Sequence, residues 1–144
     1  MADQPWAWRT EQVIPSETGA GKCVLDNVLE QLASQNWGER DIHGVHLALE
    51  EALVNAIRHG NRSDETKHVH VSCRLSADRL WVCIRDEGAG FNPDDVPDPT
   101  DDEHIEIPSG RGIMLMRAFM SRVEYNELGN CVTMEKQRAC NGTA

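Results

Sequence analysis

The sequence predicts an α+β protein, a two-layer α/β sandwich in which a mostly antiparallel sheet carries three helices on one face. Two observations predict this class. Some segments have apolar residues at helical spacing, and others have alternating apolar residues and come in adjacent pairs joined by short turns. Adjacent pairs form hairpins, so the sheet is antiparallel and not doubly wound. The 144 residues are expected to form a single domain over 1–144.

The first half of the chain predicts one strand followed by two helices. Alternation over 8–14 predicts the strand. Apolar residues recur every three or four positions between Val24 and Leu32, which predicts a helix over about 18–34. The same spacing predicts a second helix, with Asp41 as its N-cap and with its end at Gly60–Asn61.

The second half predicts two hairpins, with a helix and a long polar loop between them. The predicted elements are strands over 68–75 and 80–85, a helix over about 112–119, and strands over 123–127 and 131–136. The stretch 92–108 is rich in proline, aspartate and glutamate, so it is too polar to bury and too proline-rich for a helix. We expect it to form a lid over about 91–109.

Charge and composition exclude several classes of function. The chain has 24 Asp+Glu against 14 Lys+Arg, a formal net charge of -10, which disfavours binding to nucleic acid or to an anionic membrane surface. It contains no apolar run of about 20 residues and no signal-peptide pattern, so we expect a cytoplasmic protein. The five cysteines form no Cys-x-x-Cys pair, so we expect reduced thiols and neither a zinc site nor a disulfide framework.

A carboxylate and a carboxamide lie one turn apart on the second predicted helix. Glu51 and Asn55 share a face that points away from the middle of the apolar stripe. The amide oxygen can ligate Mg²⁺, and the carboxylate can accept a proton or position water. Glu50 is adjacent to Glu51, so spacing alone leaves open which of the two is the base.

Two glycine-rich turns add features of a nucleotide site. Asp86 follows a predicted strand and could accept a hydrogen bond from a purine amine, while Gly88 and Gly90 allow a flat ligand to approach the backbone. The segment 110–112, Gly-Arg-Gly, opens the third predicted helix, where bare amides and the helix dipole suit a triphosphate. Arg111 could add a cation.

Together these segments resemble the three nucleotide-binding boxes of the GHKL (histidine kinase-like) ATPase superfamily. Residues 51–60 (EALVNAIRHG) resemble its N box, 86–91 (DEGAGF) its G1 box and 110–116 (GRGIMLM) its G2 box. The Glu-Ala-x-x-Asn-Ala-x-x-His-Gly form, the small size and the short lid are similar to the anti-sigma-factor serine/threonine kinases. The resemblance covers about 10–137 and implies a Bergerat-type ATP-binding fold.

The resemblance also implies a role for each matching residue and a set of partners. Glu51 would be the general base, Asn55 would ligate Mg²⁺, and Asp86 would hold the adenine amine of ATP. The remaining ATP-binding positions would be Gly88, Gly90, Gly110, Arg111 and Gly112. The implied function is an anti-sigma factor that phosphorylates an anti-anti-sigma (STAS-type) partner, regulates transcription by partner switching, and acts as a homodimer.

Two departures from the family pattern keep alternatives open. The last hairpin turns at Gly129–Asn130 and continues with Cys131, where the family often has Gly-Thr near the adenine, although Thr133 is close in sequence. The acidic lid would repel phosphates unless it moves or recruits a cation. The alternatives are a nucleotide-responsive binding module without kinase activity and a detached histidine-kinase-type catalytic domain.

A dimer interface has one candidate in the sequence. Trp6, Trp8 and Val13 on the first predicted strand could form an apolar contact patch. Alternatively, this strand simply completes the edge of the sheet.

Overall fold

The computed structural model describes residues 6–88 and 110–139. The elements are β1 (Trp8–Pro15), α1 (Thr18–Ser34), α2 (Glu39–Val54), a π-helical turn (Asn55–Gly60), β2 (His68–Leu75), β3 (Arg79–Arg85), α3 (Gly110–Phe119), β4 (Arg122–Tyr125) and β5 (Cys131–Gln137). The predicted α+β class is confirmed, and each predicted helix and strand is present. The predicted lid over about 91–109, together with Gly90, lies outside the described residues.

The strands form a five-stranded antiparallel sheet in the order β1-β2-β3-β5-β4. β2–β3 and β4–β5 are the two hairpins that alternation predicted, and β5 lies against β3. This pairing brings the turn after β3 next to the turn before β5. The backbone N–H of Asp86 donates to the carbonyl oxygen of Asn130 at 2.9 Å.

One face of the sheet packs against the helices and the other carries no helix from the described part of the chain. Alternate residues of β2 and β3 are buried on the helical face, among them Val71, Leu75 and Val82. α2 packs between α1 and α3. Gly44 allows the close contact with α3, because a Cβ there would lie 3.3 Å from the Phe119 side chain. Each fully buried aliphatic side chain contributes about 1.5–3 kcal/mol to this core.

The start of α2 corrects one prediction. Asp41 is not the N-cap, because the helix begins at Glu39 and Gly38 is the cap in extended conformation. The buried Asp41 carboxylate instead accepts the Ala139 N–H at 2.8 Å and lies 3.7 Å from the Lys136 ammonium. A carboxylate in the first turn of a helix interacts favourably with the helix dipole even when it is not the N-cap. The orientation of the Asp41 side chain is set by its contacts with Lys136 and Ala139.

The end of the second helix falls at Gly60 as predicted, but its last turn is not α-helical. From Asn55 to Gly60 the chain forms a π turn, in which the N–H of Asn61 donates to the carbonyl of Ala56 at 2.9 Å. Turns of this kind are rare and occur frequently at functional sites. Here the π turn contains one of the candidate residues, Asn55.

The candidate dimer patch on β1 is not one surface. Trp8 packs against the core on the helical face, whereas Val13 lies on the opposite face and is 61% exposed. Trp6 lies under the Arg79 guanidinium, 5.2 Å from ring centroid to Cζ. β1 is a terminal strand of the described sheet, as the alternative reading expected.

No helix within 6–88 and 110–139 has the length and apolar character needed to cross a membrane.

Candidate active site

The end of the π turn meets the turn that follows β3. A Cβ at Gly60 would lie 2.3 Å from the Asp86 carboxyl carbon, and a Cβ at Gly88 would lie 1.9 Å from the Gly60 carbonyl oxygen. Real Cβ atoms do not approach other atoms so closely, so only glycine fits at either position. This contact fixes Asp86 beside the helix that carries Glu51 and Asn55.

Asp86 is a buried carboxylate with one oxygen already engaged. Its Oδ1 accepts the Gly88 N–H at 2.8 Å, and the side chain is almost inaccessible to solvent. Burial raises the pKa of Asp86 from 3.8 to about 6, while the Gly88 amide and the Lys67 charge oppose that rise. The second oxygen, Oδ2, accepts no side-chain hydrogen bond from the described residues, so it can receive a donor from a ligand.

Glu51 on α2 and Asn55 on the π turn both lie near Tyr125, as Asp86 does. Glu51 is half-buried, and burial, followed by the adjacent Glu50 charge, raises its pKa. Asn55 is buried, and its amide lies next to the Tyr125 hydroxyl, although its Nδ2 has no acceptor within normal hydrogen-bond length among the described residues. The Nδ2 is a donor and suits a phosphate oxygen, whereas only the Oδ1 of the same amide could ligate a cation.

Tyr125 at the end of β4 also belongs to this group. Burial raises the pKa of Tyr125 to about 12, and the charges of Asp86 and Glu51 add to the rise. The neighbouring Asn55 amide and the Arg117 guanidinium on α3 lower it. Tyr125 therefore lies near four other polar side chains: Glu51, Asn55, Asp86 and Arg117. No local pattern marks Tyr125, because it reaches the site only through the pairing of β4 with β5.

Asn61 is a second missed residue and holds the turn in place. It is fully buried, and its Nδ2 donates to the Ser16 hydroxyl and to the His68 carbonyl, each at 2.9 Å. Its Oδ1 accepts the Glu87 N–H at 2.7 Å. Asn61 therefore connects the start of α1, the start of β2 and the turn after Asp86. The sequence marked it only as the end of a helix, since its partners are distant along the chain.

The glycines of the third box open α3. Gly110, Arg111 and Gly112 form its first turn, and α3 packs along α2. Gly110–Gly112 thus occupy the N-terminal end of a helix, where free amides and the dipole favour an anion.

Thr133 lies on the opposite face of the sheet from Asp86, although it is close to the last hairpin in sequence. It pairs directly with Cys83, and its Oγ1 lies 3.8 Å from the Cys83 sulfur on the face without helices. Asp86 directly follows β3, and because side chains alternate along a strand, it lies on the opposite face from Cys83 and Thr133. Asn130, whose carbonyl holds the Asp86 amide, is the hairpin residue next to the acid.

The residues present suit a Mg²⁺ ion that is held largely by phosphate oxygens. Asn55 offers a buried carboxamide beside the Glu51 carboxylate, both oxygen donors of the kind that Mg²⁺ prefers. Residues 6–88 and 110–139 contain no group of three or more His, Cys, Asp or Glu side chains able to hold a metal. One protein ligand supplemented by phosphates and water is a usual arrangement for Mg²⁺.

The chain matches one protein family and is similar to several named serine-protein kinases and anti-sigma factors. A family model for the histidine kinase-like ATPase domain matches residues 16–136. The serine-protein kinase RsbW of Bacillus licheniformis is 31% identical over 142 residues, which covers 90% of this chain and 86% of the relative. RsbW of Bacillus subtilis is 31% identical over 85% of this chain and 79% of its own length. An anti-sigma F factor of Clostridium perfringens is 30% identical over 78% and 77% of the two chains.

A solved structure supports the fold. The RsbU and RsbW domains of Rv1364c from Mycobacterium tuberculosis match with a TM-score of 0.62 at 16% identity. The match covers 92% of this chain and 32% of that longer one, so this chain spans about a third of its neighbour. The family match and the relatives above 30% identity establish that the chain belongs to the histidine kinase-like ATPases and, among them, to the anti-sigma-factor serine kinase family.

Proposed function

We propose that this chain is an ATP-dependent protein serine/threonine kinase and anti-sigma factor. It binds a sigma factor, phosphorylates a STAS-type anti-anti-sigma partner and regulates transcription by partner switching. The observation that carries the proposal is the contact of Gly60 and Gly88 around the Asp86 carboxylate. This contact sets the Asp86 carboxylate against the end of the π turn that follows α2. In the proposal, Asp86 accepts a purine amine, and Glu51 and Asn55 serve as base and metal ligand. Relatives named serine-protein kinase and anti-sigma F factor support it.

Asp86 is the proposed adenine-reading residue. Its Oδ1 is held by the Gly88 amide, which leaves Oδ2 to accept the exocyclic amine of the purine. Gly88 packs against the Gly60 carbonyl and so helps to hold Asp86 in place. By the resemblance, Gly90 would let the base approach the backbone. Asn61 acts as a positioning residue here, because its Oδ1 fixes the Glu87 amide next to Asp86.

The phosphate end is assigned to the start of α3 and to the π turn. The amides of Gly110 and Gly112 and the Arg111 guanidinium would bind phosphate oxygens. Asn55 would contribute its amide oxygen to Mg²⁺, which, when bound, supplies charge neutralisation for the phosphates. Phosphoryl transfer asks the protein mainly for such positioning and charge compensation.

Glu51 is the proposed general base. Its raised pKa, caused first by burial and then by Glu50, makes its carboxylate a stronger proton acceptor than an exposed glutamate. It takes the proton of the acceptor serine as the serine oxygen bonds to the γ-phosphorus of ATP. The bond from that phosphorus to the bridging oxygen breaks, and ADP leaves.

A pair of adjacent variants tests this assignment. In Glu51→Gln, transfer of labelled γ-phosphate from Mg-ATP to a STAS-type partner should fall at least about 100-fold, the usual contribution of a general base. ATP binding measured by calorimetry should be retained. Glu50→Gln is the matched control, because its side chain is 55% exposed and it should keep transfer. Normal transfer in Glu51→Gln, or loss in Glu50→Gln alone, would contradict the assignment.

Further predictions from the sequence accompany this function. The chain is proposed to form one domain over 1–144, to act as a homodimer and to work in the cytoplasm. The acidic net charge of -10 supports protein partners and argues against direct binding of nucleic acid or membrane.

A further inference from the structure

Two cysteines on neighbouring strands face each other on the side of the sheet that lacks helices. Cys83 on β3 pairs with Thr133, and Cys131 on β5 pairs with Arg85, so the two cysteines are diagonal neighbours on one face. Their sulfur atoms are 3.3 Å apart. Both side chains are half-buried, so small molecules can reach them.

The surroundings favour the thiolate form of Cys83, which is the form that reacts with peroxides. A hydrogen bond from the Cys131 thiol lowers the pKa of Cys83, and the Thr133 hydroxyl and Arg85 charge lower it further, against the opposing effect of burial. The same contact raises the pKa of Cys131, which keeps its proton. Cys73 provides a contrast, since burial raises its pKa to about 12. Only thiolates with access to solvent react readily.

We propose that Cys83 and Cys131 form a redox-sensitive modification site, which hydroperoxides convert to a reversible intramolecular disulfide. This site is separate from phosphoryl transfer, for which neither thiol has a role. It lies close to the proposed nucleotide site, since Cys131 follows Asn130, whose carbonyl accepts the Asp86 N–H.

The reaction balances in two steps. The Cys83 thiolate attacks one oxygen of the hydroperoxide, an S–O bond forms, the O–O bond breaks, and an alcohol or water leaves after taking a proton. Cys83 is then a sulfenic acid. The Cys131 sulfur attacks the Cys83 sulfur, the S–S bond forms, the S–O bond breaks, and hydroxide leaves with the Cys131 proton as water. The two thiols lose two electrons in total, and the peroxide is reduced.

The placement of the pair favours a reversible bond. Diagonal neighbours on a sheet are farther apart at the backbone than directly opposite residues. Closing the gap from 3.3 Å to a bond of about 2.05 Å therefore needs side-chain rotation and a small approach of β3 to β5. Disulfides under such strain are reduced more easily than structural ones.

The test uses the reduced full chain with stoichiometric hydrogen peroxide, followed by alkylation, intact mass and peptide mapping. The expected result is the loss of two hydrogen atoms and of two alkylatable thiols, with Cys83 and Cys131 in one cross-linked peptide pair. Dithiothreitol should restore both thiols. Cys83→Ser and Cys131→Ser should each abolish the cross-link. Cys23→Ser is the matched control and should keep it, because Cys23 is exposed on α1 away from the pair.

A second measurement uses the wild-type chain and so depends on no variant. Phenylarsine oxide, which bridges two nearby thiols, should bind the reduced protein with one-to-one stoichiometry and should not bind after peroxide treatment. The proposal is overturned if Cys83 and Cys131 remain alkylatable after peroxide. It is also overturned if Cys83 proceeds to a sulfinic acid while Cys131 stays free, or if the disulfide formed joins other cysteines or two chains.

Discussion

Replacing Asp86 with asparagine removes a buried charge while it preserves the size and shape of the side chain. In Asp86→Asn, Oδ1 can still accept the Gly88 N–H, but the second position becomes an NH₂ donor. A purine amine is also a donor, so we expect ATP binding to be lost. The same substitution relieves the protein of the cost of holding an ionised carboxylate in a buried place. The variant should therefore gain stability as it loses affinity.

The magnitude and sign of the stability change follow from the pKa of Asp86. Burial raises that pKa from 3.8 to about 6, so between these values the folded state binds more protons than the unfolded state. Stability of the wild type therefore falls as pH rises from about 4 to about 6, and the loss is complete above that range. A shift of about two units corresponds to about 3 kcal/mol. In Asp86→Asn the side chain at this position does not titrate, so the variant should not lose this stability as the pH rises.

The assay is urea unfolding of both proteins at several pH values between 4 and 8. The difference in unfolding free energy, variant minus wild type, should rise by about 2.5 kcal/mol from pH 4 to pH 8, because at pH 4 the unfolded state has already lost part of its protons. Any constant offset from packing the amide cancels in this comparison. Asp26→Asn serves as the control, because it removes an exposed carboxylate of α1 that is solvated in both states. A difference that is flat with pH would refute the reasoning.

Two further substitutions test the scaffold around the acid. Asn61→Ala removes three hydrogen bonds of a fully buried side chain and should lower the unfolding free energy by about 3 kcal/mol, measured by urea denaturation. Asn27→Ala, at a half-exposed position, should change it little, and equal effects would contradict the bridging role. Gly60→Ala places a Cβ 2.3 Å from the Asp86 carboxyl carbon and should weaken ATP binding by calorimetry at least about tenfold. Gly19→Ala is the control: its Cβ would meet nothing within 4 Å, so ATP binding should be unchanged. Unaltered ATP binding in Gly60→Ala would show that the contact between Gly60 and Asp86 does not position the carboxylate.

Local patterns predicted the elements because helix and strand formation depends on side chains close in sequence. The strand over 68–75 and the helix over about 18–34 were predicted with the bounds the structure has. The prediction failed where a distant partner decided the outcome. Asp41 has the chemistry of an N-cap, yet its carboxylate binds the Ala139 amide and leaves capping to Gly38.

Motif spacing predicted Glu51, Asn55, Asp86 and Gly88 as a group. In the fold, the first three lie near Tyr125, and Gly88 donates its N–H to Asp86. It did not reveal the neighbours that hold them, because Asn61 acts through Ser16 and Glu87, which are far away along the chain.

The sequence by itself determined the elements and the hairpins, and it was enough to propose residues for a nucleotide site, since periodicity and residue type are local properties. Only the tertiary structure decided which turns touch and which face a side chain occupies. The pairing of β3 with β5 put Thr133 on the face away from Asp86 and brought the sulfur of Cys83 to 3.3 Å from that of Cys131. Strand order and register depend on packing the whole core, and no short segment specifies them.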